Sequence, residues 1–228
     1  MKKYVAAALA VSAAISLCAA SSNAAAKPPS PPNTPTAAEL PFVTRATSEL
    51  QKLYGTTALA AKAGYFRYTN EDSTGAISWV NTKYFTSDET HPSQIWYDVK
   101  GNLIGVDYSV PKTSTAPKMW AILPARWFDF EPHVHFAVAA KALGASSTSG
   151  LKLGYILDST IKKNGGSPTH PTPADVVKAG KAKSASDVKF VFHFPDLWDL
   201  EFWLVPNPSG VFATKNPNVK PSANAEKM

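Results

Sequence analysis

Apolar and polar residues alternate along the chain with two different periods. Leu50, Leu53 and Tyr54 recur at spacings of three and four within residues 37–63, which predicts an amphipathic helix. The segment is either one helix or a pair of helices divided at Gly55. The following segments have a period of two, or are rich in aromatic and β-branched residues, and predict strands. The predicted strands are residues 65–68, 77–80, 94–98, 103–110, 133–138, 188–194 and 200–205.

A hairpin is predicted where residues 100–102, Lys-Gly-Asn, separate two of these strands. Successive residues of a strand point to opposite faces of its sheet, so the second strand of the hairpin has an apolar and a polar face. We expect Asp107 and Ser109 on the polar face. The residues expected to face the core are Ile104, Val106, Tyr108 and Val110.

A further short helix is predicted near residues 173–183. Thr172 is a good N-cap, Pro173 suits the first turn, and Asp175 lies near the positive end of the helix. The order of elements is a helix or helix pair, many short strands and one short helix. This order predicts an α+β fold in which the N-terminal helix or helix pair packs on an antiparallel β-sheet.

The N-terminal residues have the pattern of a signal peptide, which we assign to residues 1–26. Lys2 and Lys3 precede an uncharged, largely apolar run at residues 5–20, and small residues follow up to Lys27. The run is shorter than the roughly 20 residues that a membrane-spanning helix needs. We therefore expect a mature chain that is exported, to a periplasm or to the medium, and has no membrane span.

Proline content marks the ends of the expected domain. Residues 27–36 are half proline, which predicts an extended spacer. Residues 216–228 are polar and contain two prolines, which predicts a flexible tail. Residues 37–215 are then a single α+β domain, long enough to bury a core.

Composition argues against several classes of function. The only cysteine, Cys18, lies in the predicted signal peptide, so the mature chain has no thiol for disulfides, nucleophilic catalysis or metal binding. The net charge falls from +6 to +4 without Lys2 and Lys3, and the remaining lysines are scattered. This distribution is typical of a solvated surface, so we expect no nucleic-acid partner. We expect a monomer that binds a small ligand or a metal ion.

Four parts of the chain are similar to known sequences. They are residues 60–65 with Trp-Val-Asn at 79–81, the hairpin containing Gly-Asn-Leu-Ile-Gly-Val at 101–106, residues 197–203 with Trp-Asp-Leu, and Asn-Pro-Ser-Gly-Val-Phe-Ala at 207–213. Together they resemble a group of secreted bacterial proteins of unknown function. The resemblance implies a shared secreted fold and assigns no catalytic residue.

The strand around residues 131–136, Glu-Pro-His-Val-His-Phe, carries the clearest candidate chemistry. Alternation places Glu131, His133 and His135 on one face. Imidazole and carboxylate groups suit zinc, copper, iron or nickel, and His193 on a later strand is a candidate third ligand. A surface His-X-His pair without a metal is the ordinary alternative.

A second candidate group lies near the last predicted strand. Asp199, Glu201 and Trp203 alternate with apolar residues and therefore share a face. Such a face suits a small ligand, and the two acids also suit acid–base chemistry on a glycoside. Paired acids on a solvated strand are the plain alternative.

The sequence therefore predicts an exported binding protein for a metal ion or a small ligand on a histidine-rich strand face. A metal-dependent enzyme of the hydrolase or oxygenase type is the first alternative, with Glu201 as the acid beside an open metal position. An envelope protein with a structural or interaction role is the second. The nucleophile-elbow, phosphate-loop and dinucleotide motifs are missing from the sequence.

Overall fold

Two antiparallel sheets and four α-helices make up the described part of the chain, which comprises residues 31–86, 88–143 and 150–226 of a computed structural model. The predicted α+β class is confirmed, with an N-terminal helix pair on an antiparallel sheet. The pair is α1 (Leu40–Tyr54) and α2 (Thr57–Lys62), divided near Gly55 as predicted. The predicted signal peptide lies outside the described residues.

Nine strands form the two sheets. They are β1 (Phe66–Arg67), β2 (Ile77–Val80), β3 (Gln94–Tyr97), β4 (Leu103–Pro111), β5 (Phe128–Phe130), β6 (His133–Ala139), β7 (Leu151–Leu157), β8 (Val188–Phe194) and β9 (Leu197–Trp203). The larger sheet has the order β1-β2-β3-β4-β9-β5, and the smaller sheet has the order β7-β6-β8. All neighbouring strands are antiparallel.

The main core lies between α1 and one face of the larger sheet. Phe42 on α1 contacts the rings of Tyr108 and Phe202, at centroid distances of 5.7 and 5.9 Å. Val106 and Val110 belong to the same buried cluster, as the alternation of β4 predicts. Because successive side chains of a strand point to opposite faces, the polar residues of β4 lie on the other face of the sheet.

A β-bulge alters the faces at the start of β4. The pairing of β3 with β4 shifts between Trp96 and Tyr97. Leu103 packs in the α1 core, whereas Ile104, predicted to face that core, packs with Ala76 and Trp203. The prediction for Ile104 was wrong because strict alternation does not continue through an irregular pairing.

The smaller sheet has a core of its own on one face. Val134, Phe136 and Val138 of β6 pack there, as the sequence predicts. Two short helices contribute to the same cluster: Ile161 from α3 (Asp158–Lys163) and Val176 from α4 (Pro173–Lys178). Helix α3 and strand β7 were not predicted.

Helix α4 begins as predicted and ends earlier. Thr172 and Asp175 form a reciprocal capping box at its start. At its end the N–H of Gly180 donates to the carbonyl of Val177 and that of Lys181 to Val176, with Gly180 at φ +71°. This Schellman arrangement stops the helix at Lys178, so the expected extension to residue 183 is absent.

The other face of the smaller sheet packs against the larger sheet through aromatic rings. Phe66 on β1 contacts Phe190 and Phe192 on β8, at centroid distances of 5.4 and 5.6 Å. Phe130 on β5 contacts Phe194 at 6.1 Å. Both faces of β6 are therefore covered.

Parts of the predicted spacer and of the predicted tail contact the domain. Arg126 donates hydrogen bonds to the carbonyls of Pro32 and Thr34. Ser222 donates to the carboxylate of Glu71 through both its N–H and its hydroxyl. None of the helices in residues 31–86, 88–143 and 150–226 has the length and hydrophobicity to cross a membrane.

Candidate binding site between the two sheets

His133 and His135 lie on the face of β6 that meets the larger sheet. Their neighbours across the strand pairing are Phe194 and Phe192 of β8. Alternation predicts that the two histidines share a face, and in the structure they do. They are 3% and 8% exposed, respectively, so they lie in the interior.

The two imidazole rings meet through their Nε2 atoms. The distance from His133 Nε2 to His135 Nε2 is 2.8 Å. His133 Nδ1 lies 2.7 Å from the backbone carbonyl of Glu131, to which it must donate. The carboxylate of Glu131 is exposed, so this residue supplies the pair with a backbone oxygen.

Proton accounting shows that the neutral pair leaves a nitrogen atom unsatisfied. Since His133 Nδ1 carries the proton, His133 Nε2 carries a lone pair and can only accept a hydrogen bond. If His135 Nε2–H donates to that lone pair, His135 Nδ1 is a buried acceptor for which the described residues supply no partner. If the proton is on His135 Nδ1 instead, toward the backbone of Gly154, two lone pairs face each other at 2.8 Å.

Burial disfavours the charged form of both rings. Desolvation lowers the pKa of His135 well below its usual range, and the nearby His133 lowers it further. Desolvation also lowers the pKa of His133, although the Glu131 carbonyl and the Asp158 carboxylate oppose the shift. Neutral imidazole is the form that binds metal ions.

Aromatic rings enclose the histidine pair. Phe194 stacks on His133 at a centroid distance of 5.1 Å, and Phe192 stacks on His135 at 5.4 Å. The ring of Tyr68 lies 4.6 Å from that of His135. Tyr155, which is 60% exposed, contacts both imidazoles and separates them from solvent.

His193 does not join the pair. It lies opposite Val134 in the β6–β8 register and therefore points to the other face of the smaller sheet. There its Nε2 lies 3.2 Å from Oδ2 of Asp158. The prediction of His193 as a third ligand is corrected because the β6–β8 register, which the sequence does not reveal, places its side chain on the face opposite His133 and His135.

The predicted three- or four-ligand metal site is not formed. In the part of the chain that the structure describes, no three His, Cys, Asp or Glu side chains lie close enough together to hold one metal ion. Glu131 turns its carboxylate outward and His193 lies beyond the sheet, so only His133 and His135 of the four predicted ligands lie together.

Three acids lie on the same side of the larger sheet that faces the histidines. In the β4–β9 register, Asp107 lies opposite Glu201, and Asp199 lies opposite Ser109. Asp107 and Asp199 are 3% and 1% exposed, respectively, whereas Glu201 keeps an exposed surface. The structure thus places the predicted residues Asp199 and Glu201 together and adds Asp107.

A polar chain connects Asp107 to the histidine region. The Tyr68 hydroxyl donates to Oε1 of Gln94, whose amide donates to Oδ2 of Asp107. Since the Tyr68 ring also contacts His135, one side chain touches both groups. Oδ1 of Asp107 and Oδ1 of Asp199 are buried without any hydrogen-bond partner among the described residues.

The acids have raised pKa values because they are desolvated and close to one another. Burial raises the pKa of Asp107 well above its usual range, and Asp199 and Glu201 add to the shift. Burial raises the pKa of Asp199 to about 7, against a hydrogen bond from Ser109. Burial and Asp199 raise the pKa of Glu201 to about 8.

Trp203 has a structural position. It is 3% exposed, its Nε1 donates to the carbonyl of Ala213 at 2.6 Å, and its ring contacts that of Trp96 at 5.7 Å. Alternation correctly places it on the face of Asp199 and Glu201, but it is buried there. Its predicted role as an accessible ligand-binding residue is therefore not supported.

Sequence reasoning missed Tyr68 and Gln94. They reach the site because β1, β2 and β3 pair in one sheet, and single-strand alternation carries no information on that pairing. Asp107 had a usable signal, since it was already expected on the polar face of its strand.

The chain was also compared with known proteins. No protein-family model, no curated protein sequence and no solved structure matches it.

Proposed function

We propose that the chain is an exported binding protein that holds one copper ion between His133 and His135. The observation that carries the proposal is the 2.8 Å approach of the two Nε2 atoms within a pair whose burial disfavours the charged form. Neither proton arrangement of that pair satisfies all four ring nitrogens. A metal ion that accepts both Nε2 lone pairs removes this conflict, and His133 Nδ1–H keeps its hydrogen bond to the Glu131 carbonyl.

The spacing of the pair suits two adjacent ligands of one ion. Nitrogen atoms that lie about 2.0 Å from a metal and at right angles to each other are about 2.8 Å apart. Right angles between neighbouring ligands are typical of square-planar Cu(II). The distance between the two nitrogen atoms therefore needs little change on binding.

Copper is the favoured metal because the protein supplies only two ligands here. Along the divalent series, nitrogen sites bind copper more tightly than iron, nickel or zinc. The hydrogen bond from His133 Nδ1 to the Glu131 carbonyl is the usual second contact of a metal-binding imidazole, since it fixes the tautomer and the ring orientation.

Burial favours binding over catalysis at this pair. Both histidines are almost inaccessible, and their surroundings are the rings of Phe192, Phe194, Tyr68 and Tyr155. A substrate would have to displace these rings to reach the ion. The proposal includes export, which is supported by the order of charged, apolar and small residues at positions 1–26.

The test is a copper titration of the mature protein, purified without a histidine tag and stripped of metal. Copper, zinc and nickel are added separately, and binding is followed by calorimetry and by elemental analysis after gel filtration. The variant is His133→Ala with His135→Ala. The control is His91→Ala with His170→Ala, which removes two loop histidines instead.

The proposal expects close to one copper ion per chain in the parent and in the control, and loss of that ion in the His133→Ala/His135→Ala variant. Circular dichroism of the variant establishes that it is folded. Absence of copper binding in the parent, or equal binding by the folded variant, would overturn the proposal.

A further inference from the structure

We infer a second binding site, for a small aliphatic diamine, at Asp107, Asp199 and Glu201 on the inner face of the larger sheet. This second site is independent of copper binding, because none of the three acids is a proposed copper ligand. The proposal depends on missing partners, on an aromatic wall and on the spacing of the acids along the sheet.

The acids lack positive partners. Among the described residues, every ion pair within 4.0 Å involves other acids. Asp129, close enough to affect Asp199, is itself paired with Lys112 at 2.6 Å. The three carboxyl groups between the sheets therefore have no positively charged partner among the described residues.

Two buried oxygen atoms point to a missing donor. Oδ1 of Asp107 and Oδ1 of Asp199 have no hydrogen-bond partner in the described part of the chain, although both residues are more than nine-tenths buried. Leaving a buried carboxyl oxygen without a donor is unfavourable, because the lost hydration is not replaced. A bound ammonium group would donate to such oxygens and supply the opposite charge.

An aromatic wall borders the acids. Gly105, two residues before Asp107 on the same face, has the ring of Trp96 directly over its Cα, where a Cβ would collide with Cε3. Trp96 is half-buried, so part of its ring remains accessible, and Trp203 supports it from behind. Aromatic faces attract alkylammonium cations.

The spacing of the acids favours a diamine over a metal ion. No three of the described acidic or histidine side chains converge closely enough to hold one metal ion. Asp199 and Glu201, two residues apart on a strand, are separated by about 7 Å at the backbone. Two ammonium groups joined by a short aliphatic chain can each reach one carboxylate, and the exposed surface of Glu201 gives them entry.

The test is calorimetric titration of the mature protein with 1,4-diaminobutane. Butylamine, which has one ammonium group, and calcium chloride are the comparison ligands. The variant is Asp199→Asn with Glu201→Gln. The matched control is Glu49→Gln with Glu89→Gln. It removes two charges from acids that form exposed ion pairs with Lys52 and Arg45.

The proposal expects 1,4-diaminobutane to bind at least tenfold more tightly than butylamine. It also expects at least tenfold weaker binding by Asp199→Asn/Glu201→Gln and no change in the control. Absence of diamine binding, equal binding by both variants, or tighter binding of calcium would each overturn it. The His133→Ala/His135→Ala variant should keep its diamine affinity, so failure of the copper proposal and failure of this one are distinguishable.

Discussion

Two regions of the molecule bury carboxyl groups, and they differ in what surrounds those groups. Glu39, at the start of α1, is 0% exposed, and Arg126 pairs with both of its oxygens at 3.1 Å. The N–H groups of Thr36 and Leu123 donate to the same carboxylate. Burial alone would raise the pKa of Glu39, but these partners outweigh it and lower the pKa to about 2.

Between the sheets, the same depth of burial has the opposite result. Asp199 is 1% exposed, and its pKa is raised to about 7 because desolvation is not balanced by a positive charge. His135 has the same deficit in the form of a buried nitrogen without a partner. The comparison shows that the fold supplies partners for one buried acid and leaves oxygen atoms of Asp107 and Asp199 without any among the described residues.

The largest expected effect comes from removing the partner at the satisfied region. Arg126→Ala leaves the Glu39 carboxylate buried and unpaired and removes the hydrogen bonds to Pro32 and Thr34. We expect a loss of about 3–5 kcal/mol in the free energy of unfolding, measured by urea denaturation.

The control for this prediction is Arg45→Ala, which breaks an exposed pair with Glu89 at 3.2 Å. It should cost no more than about 1 kcal/mol. Equal effects of the two substitutions would mean that the Glu39 region is not held by its ion pair, and the comparison would fail.

A smaller effect is expected at the aromatic wall between the sheets. Gly105→Ala forces the Trp96 ring away from β4, which should cost about 1–3 kcal/mol and shift the tryptophan fluorescence. Gly154→Ala is the milder comparison, because its added Cβ would lie 3.0 Å from Cζ of Phe136. If Gly105→Ala changes neither the fluorescence spectrum nor the stability, the Trp96 ring does not pack over Gly105 as described.

The smallest expected effect is a gain in stability. The folded chain keeps the Asp199 proton up to a pH of about 7, whereas the unfolded chain releases it near pH 4. The folded state therefore binds more protons between these values, and stability falls as pH rises through this window. Asp199→Asn should reduce this fall, to which Asp107 and Glu201 also contribute, and stabilise the protein by at least about 1 kcal/mol at pH 8.

Thermal unfolding of the Asp199→Asn variant and the parent at pH 4.5 and pH 8 measures this difference. Glu49→Gln, at an exposed acid of α1, should not change the pH dependence. If Asp199→Asn instead destabilises the protein at pH 8, its carboxylate has a partner and the proposed deficit is wrong.

Alternation along single strands predicted much of what lies on each face. It correctly placed Asp107 on the face of β4 that points away from the α1 core, and it placed His133 and His135 on one face of β6. Both strands are regular over those residues. It failed at Ile104, where the bulge between β3 and β4 interrupts the period.

Relations between strands were beyond the sequence. Whether His193 meets His133 depends on the β6–β8 register, and whether the histidine face is buried depends on the second sheet. These are long-range properties with no local signal. The α+β class was predictable because the helical segment and the short strands are distinct in their periods.

The most direct test of the central claim is electron paramagnetic resonance of the protein loaded with one equivalent of Cu(II). The parent should show hyperfine coupling to two imidazole nitrogens, and His135→Ala should show one or a loss of bound copper. His193→Ala, which removes the imidazole on the opposite face, should leave the spectrum unchanged. A parent spectrum that His135→Ala does not alter would contradict the assignment of copper to the buried pair.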